Sequence, residues 1–173
     1  MIVVRSLVWA LVFYLWSAIM GLAMLPLLSM AGGVAAAGWA SDQLVWRLGR
    51  RWGRRVPGLV GLPVAALVLL AAVTTADPKA SALLFAVAAG LATFGVAPGW
   101  AACLDIGGEH AGVVTGMMNT FGNLGGTMMP LLMGFCLDRW NSWNASLFTV
   151  VFFYLFSAAC WLGIRADKAI QGE

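Results

Sequence analysis

From Ser6 to Ser41 the chain carries no charged residue. Read as one helix, that run would be about 54 Å long at 1.5 Å per residue. The hydrocarbon core of a bilayer is only about 30 Å thick. The run therefore predicts two membrane helices packed as a hairpin, with the break between Gly21 and Pro26, where proline interrupts the hydrogen-bond ladder. The N-terminal Arg5 followed by apolar residues has the outline of a signal peptide. The run passes well beyond such a segment's length, however, and predicts a retained membrane helix.

Four further apolar blocks follow, Pro57 to Thr75, Ala80 to Leu104, Ala111 to Cys136 and Ala145 to Ile164. Polar connections separate them at Asp77-Pro78-Lys79, Asp105 to His110 and Asp138 to Asn141, and Asn144 is the expected cap of the last helix. The Asn144-Ala-Ser146 glycosylation sequon falls on this helix start, where capping accounts for it. The expectation is an all-α polytopic bundle of about six helices, or five if the first block is a single tilted span. The composition agrees, with 62% hydrophobic and 10% charged residues and a mean hydropathy of +0.91. Soluble domains carry about 25% charged residues. A soluble enzyme is thereby excluded.

Five of the ten basic residues cluster as Arg47, Arg50, Arg51, Arg54 and Arg55. Flanked by apolar runs, they signal topology rather than nucleic-acid binding. With six spans, the Lys/Arg count is eight on one side (Arg5, the five clustered arginines, Arg165 and Lys168) against Lys79 and Arg139 on the other. The positive-inside rule then makes both termini cytoplasmic. The cysteines at 103, 136 and 160 match no zinc or redox spacing. With a single histidine, His110, no His-rich metal site is possible, and no nucleotide loop or catalytic triad is present. No cofactor is expected.

Chemistry concentrates between Ala111 and Pro130. On a helix, Gly112, Gly116, Asn119, Asn123, Gly126 and Pro130 recur at steps of three and four and share a face. Such a face lets another helix or a ligand approach the backbone. Two carboxamides in the membrane need partners. Asn119 and Asn123 either bond a neighbouring helix or line a polar cavity that binds a solute. The preceding helix, with Gly90, Gly95, Pro98 and Gly99, is built to bend. Its Trp100 either packs at an interface or faces a solute with its ring and indole N–H. A third feature is Gly38-Trp-Ala-Ser-Asp42 leading into Arg47-Leu-Gly49-Arg50-Arg51. There the acid can cap a helix or pair with an arginine.

This third stretch resembles the conserved loop motif of the major facilitator superfamily, in which a Gly-x-x-x-Asp helix end leads into Arg-x-Gly-Arg-Arg. The motif joins helices two and three, and a degenerate copy joins eight and nine. Cys103-Leu-Asp-Ile-Gly, Ala111-Gly, Met118-Asn and Gly122-Asn-Leu-Gly-Gly resemble helices ten and eleven of the superfamily's anion:cation symporter branch. That branch moves organic anions such as sugar acids, aldarates and aromatic acids, usually with protons. The resemblance covers about residues 22 to 168. It implies a C-terminal transporter half over 23–168 in the cell (inner) membrane, an N-terminal membrane helix of uncertain relation over 1–22, and a cytoplasmic tail over 169–173.

Within that half, Asn119, Asn123 and Trp100 would meet a small organic anion. Asp42, Arg47, Arg50 and Arg51 would form a conformational latch. The first 22 residues, with Arg5-Ser-Leu and Phe13-Tyr-Leu-Trp, look more like the anchor of bacterial lysophosphatidate acyltransferases. Those enzymes need His-x-x-x-x-Asp, and Thr115 stands five places after His110. The superfamily has about twelve helices, with the solute between two halves. The acidic coupling residues and many of the anion-binding cations of this branch come from the first half, and no helix-interior charge replaces them here. The expected partners are therefore the bilayer, the anion, and a second half or another copy of the chain. The competing expectations are a rearranged fragment without transport of its own and a membrane-embedded interaction subunit.

Overall fold

The computed structural model describes Met24 and residues 26–170 in full, and residues 2–23 and 25 as helical backbone. All regular structure among the described residues is helical. The elements are α1 (Ile2–Thr74), α2 (Pro78–Ala92), α3 (Val96–Gly107), α4 (Ala111–Trp140) and α5 (Trp143–Cys160). Three stretches are long and apolar enough to cross a membrane: Pro26–Thr74, Pro78–Trp140 and Trp143–Trp161.

The first stretch reverses at Gly49, with φ 80° and ψ 166°. That region of backbone space is open essentially to glycine alone. The arms on either side, 26–48 and 50–74, fold back on each other. Ser41 Oγ donates to the Gly53 carbonyl at 3.2 Å, and a methyl on Gly53 would collide with the backbone of Val45. The break expected between Gly21 and Pro26 falls on residues outside the fully described part. Ser29 Oγ donates to the Pro26 carbonyl at 2.7 Å, an ordinary bond back along the helix. The separate helix expected over residues 1–22 falls on residues whose side chains lie outside the described part, as do the tail residues 171–173.

In the second stretch, α2 opens on an Asp77 cap, the Ala80 N–H reaching Asp77 Oδ2 at 2.9 Å. A 3-10 turn at Thr93–Gly95 joins α2 to α3, putting the expected bend at that glycine. The chain reverses at Gly108 (φ 49°) into α4. Asn141, left-handed at φ 46°, ends α4 with its N–H on the Leu137 carbonyl at 2.7 Å. The N-cap position of α5 is Ser142 rather than the expected Asn144, because the helix begins two residues earlier than expected, at Trp143.

With α2 and α3 counted as one bent rod, the described residues make five rods. The expected count of about six is not reached among them, because the sixth was the N-terminal span. The core is lined with small side chains: Ala37, Ala65, Ala66, Ala72, Ala86, Ala88, Ala102 and Ala158 are buried. Large apolar side chains point outward, with Leu28 69%, Leu131 71% and Phe152 61% exposed. This inversion of the soluble pattern suits lipid, in which association is driven by close packing and not by burying hydrocarbon. The arm 26–48 crosses α2 at the closest of these contacts. A methyl on Gly33 would strike the Gly90 carbonyl, and one on Gly90 would lie 2.8 Å from the Ser29 oxygen. Thr93 Oγ1 ties the crossing to the Met30 carbonyl at 3.1 Å.

Candidate solute cavity and charge cluster

The two reversals at Gly49 and Gly108 lie at the same end of the bundle as the end of α5. Arg54 Nε donates to Asp105 Oδ2 at 3.0 Å, the Ile170 N–H donates to the Ile106 carbonyl at 2.8 Å, and Arg55 Nε donates to the Ile164 carbonyl. This end holds Arg47, Arg50, Arg51, Arg54, Arg55, Arg165 and Lys168, whereas Lys79 and Arg139 sit at the loops of the opposite end.

Arg54 is the hub of the charged end. Its Nη1 donates to Asp42 Oδ1 at 2.7 Å and to Ser41 Oγ at 3.1 Å, while its Nε holds Asp105. One guanidinium therefore ties both arms of α1 to α3. Of the residues expected in a latch, Asp42 is paired. Arg47, Arg50 and Arg51 are exposed, and no ion pair is found for them among the described residues. Sequence reasoning missed Arg54 and Asp105, although both stand inside quoted stretches, in the arginine cluster and in Cys103-Leu-Asp-Ile-Gly. Arg55 is also buried, lies over the Trp52 ring at 5.4 Å, and donates to the Ile164 carbonyl just beyond the 3-10 turn that follows α5.

Toward the middle of the bundle a cavity of about 660 Å³ opens between the second arm of α1, α3, α4 and α5. Trp100, Asn119 and Asn123, singled out separately from the sequence, all line it. Cys103, Met118, Ser157, Cys160 and Trp161 line it as well, and none of the lining residues is charged. α4 is held beside α3 where Cys103 Sγ approaches Met118 Sδ at 3.2 Å, and beside α5 where Ser146 Oγ donates to the Met133 carbonyl at 3.0 Å.

Of the two readings left open for the asparagines, no bond from either to a neighbouring helix is found among the described residues. Asn123 Nδ2 donates within α4, to the Asn119 carbonyl at 2.8 Å, and both side chains are exposed. The remaining oxygen and amide capacity of the pair is free for water or a solute in the cavity. The rest of the small face of α4 is open: a methyl on Gly112, Gly116, Gly122, Gly125 or Gly126 would meet nothing within 4 Å. No group of three or more metal-ligating side chains is found among the described residues.

Comparison with known proteins finds transporters. The probable galactarate/D-glucarate transporter of Escherichia coli is 32% identical over 143 residues, which is 82% of this chain and 32% of that protein. The probable sulfoacetate transporter of Cupriavidus necator is 30% identical over 121 residues, 69% of this chain and 28% of that one. The chloroplastic ascorbate transporter of Arabidopsis thaliana is 30% identical over 141 residues, 81% of this chain and 26% of that one. The chain spans no more than about a third of the length of these relatives. No protein-family model matches it, and no solved structure does. The relatives bear out the resemblance carried by the loop motif and the glycine-asparagine helix, and they agree with the reading that the chain is not an enzyme.

Proposed function

We propose that this chain, a homologue of anion transporters, forms one wall of a transport pathway for a small organic anion of the sugar-acid, aldarate or aromatic-acid class, in a proton symporter of the major facilitator type. The observation that carries this reading is the convergence of Trp100, Asn119 and Asn123 on one cavity. The asparagines and the indole contact the solute as neutral donors and acceptors. Charge neutralisation of the anion falls to a second half, on another chain or another copy, because no cation lines the cavity here. The open glycine face of α4 supports such a partner, since small residues at this spacing admit a close helix.

Alternating access rocks the two bundles about the midplane site, and the Arg54 hub with Asp42 latches one state. The seven-to-two division of basic residues between the ends supports a cytoplasmic side at the Arg54 end.

The test is galactarate uptake by vesicles that hold the chain with a second half, driven by a proton gradient. Asn119→Ala with Asn123→Ala should abolish uptake, and unchanged uptake removes the site assignment. A fragment without transport of its own is favoured by the uncharged lining. It would be supported if no second half confers uptake.

A further inference from the structure

A second groove, of about 310 Å³, runs between the two arms of α1 and the end of α2. Its lining is wholly apolar and includes Ala40, Leu44, Val56, Pro57, Val60 and Phe94. The second arm turns Leu62 to the solute cavity and Val60 to this groove, so the two spaces lie on different faces of that arm. Val60, on the lip, is 57% exposed. The arm between residues 56 and 64 is about 12 Å long at 1.5 Å per residue, and one leaflet contributes about 15 Å of hydrocarbon. The groove therefore matches a single acyl chain in length and chemistry.

The end of the groove separates it from general lipid contact. Ala40, Leu44 and Arg47 follow at steps of four and three, so the arginine continues the groove-lining face of the first arm. On the second arm Trp52 stands one turn before Val56. Between them, every residue from Trp46 to Trp52 is exposed. Arg54 is occupied by Asp42 and Asp105, and Arg55 by the Ile164 carbonyl. Arg47, Arg50 and Arg51 have no ion pair among the described residues. The positive-inside rule accounts for cations at this end of the bundle but not for their place at the mouth of an apolar groove. A guanidinium fork matches phosphate oxygens, and indoles settle at headgroup depth. Three cations without a counter-charge favour a headgroup of net negative charge over a zwitterionic one, whose amine they repel.

We infer that the groove and the Arg47–Arg51 turn bind one anionic phospholipid, with an acyl chain between the arms of α1 and the headgroup phosphate on Arg47. Arg50 and Arg51 stand beside it and add to the local positive field. The inference stands on the membrane residence of the chain and not on the transport reading, since neither a solute nor a second half enters it.

The experiment is native mass spectrometry of the full chain released from detergent, titrated with phosphatidylglycerol or phosphatidylcholine at fixed ionic strength. Wild type should retain one phosphatidylglycerol and little phosphatidylcholine. Arg47→Gln should bind phosphatidylglycerol about tenfold more weakly, the scale of one hydrogen bond between charged groups. Arg165→Gln, an equal loss of charge at the same end of the bundle, should bind as wild type does. Val60→Trp, which fills the groove and keeps every arginine, should also lose the lipid. Should V60W not fold, Leu44→Gln makes the groove polar at nearly the same size and should weaken retention. Equal retention of the two lipids, or equal losses in R47Q and R165Q, overturns the inference as diffuse attraction. Unchanged binding in R47Q, or in the folded groove variant, overturns the assignment of headgroup or chain. No retained phosphatidylglycerol in wild type overturns it outright and leaves the groove to a protein helix.

Discussion

Arg54 and Asp105, 51 residues apart in the chain, meet at 3.0 Å and join the second arm of α1 to the end of α3. The same guanidinium reaches back across the Gly49 reversal to Asp42 at 2.7 Å. The two carboxylates are unequal partners: the Asp105 side chain is 19% exposed and that of Asp42 66%. Water screens the second pair and competes little with the first.

Removing the shielded partner should therefore cost more. Asp105→Asn should lower stability by about 1–3 kcal/mol, because it weakens a hydrogen-bonded charge pair away from water. Asp42→Asn should cost under about 1 kcal/mol, as exposed pairs do. Thermal denaturation of the two variants in one detergent checks the order, and equal losses would show that Arg54 is not shared in this way.

At the crossing of the first rod with α2, Gly33→Ala places a methyl against the Gly90 carbonyl. Overpacking of this kind costs about 1–3 kcal/mol. On α4, Gly125→Ala meets nothing within 4 Å and replaces a helical glycine, a change worth up to about 1 kcal/mol in favour of the helix. G33A should lower the melting temperature and the monodisperse yield in detergent, while G125A should leave both unchanged or raise them.

The reversal makes a third demand. Gly49 sits at φ 80°, ψ 166°, and a side chain there costs on the order of 1–3 kcal/mol. Gly49→Ala should weaken the Ser41–Gly53 contact and the Arg54–Asp42 pair together. Thermal denaturation in detergent checks this: G49A should melt below wild type, and an unchanged melting temperature would contradict the strained reversal.

Legibility of these features in the sequence followed the range of the interaction. The asparagine face of α4 depends on helical periodicity alone, so Asn119 and Asn123 could be placed together, and the bend before Trp100 was marked by Gly95 and Pro98. The reversal at Gly49 falls inside the Arg47–Arg55 connection that the sequence places between two spans, where glycine alone readily adopts the backbone required. Arg54 could not be told from Arg47, Arg50 and Arg51 by spacing, since its role comes from Asp105 on another rod. The packing of Trp161 was invisible for the same reason: its ring lies against Gly58, Gly95 and Gly99, which are distant in sequence.

The outward-facing hydrocarbon predicts behaviour on extraction. With Leu28, Leu131 and Phe152 turned out, the chain should stay with the membrane through an alkaline wash and leave it only in detergent. Release into the aqueous phase as a monodisperse species would contradict a lipid-solvated surface.

The central claim is that α4 presents Asn123 to the solute cavity that this bundle walls on one side. In a chain carrying Cys103→Ser, Cys136→Ser and Cys160→Ser and assembled with a second half that confers uptake, the thiol of an Asn123→Cys variant should react with N-ethylmaleimide, and galactarate should slow that reaction. A Phe121→Cys variant on the outward face of α4 should react at the same rate with and without galactarate. Equal labelling of the Asn123→Cys variant in the presence and absence of galactarate, D-glucarate, sulfoacetate and ascorbate would contradict the account.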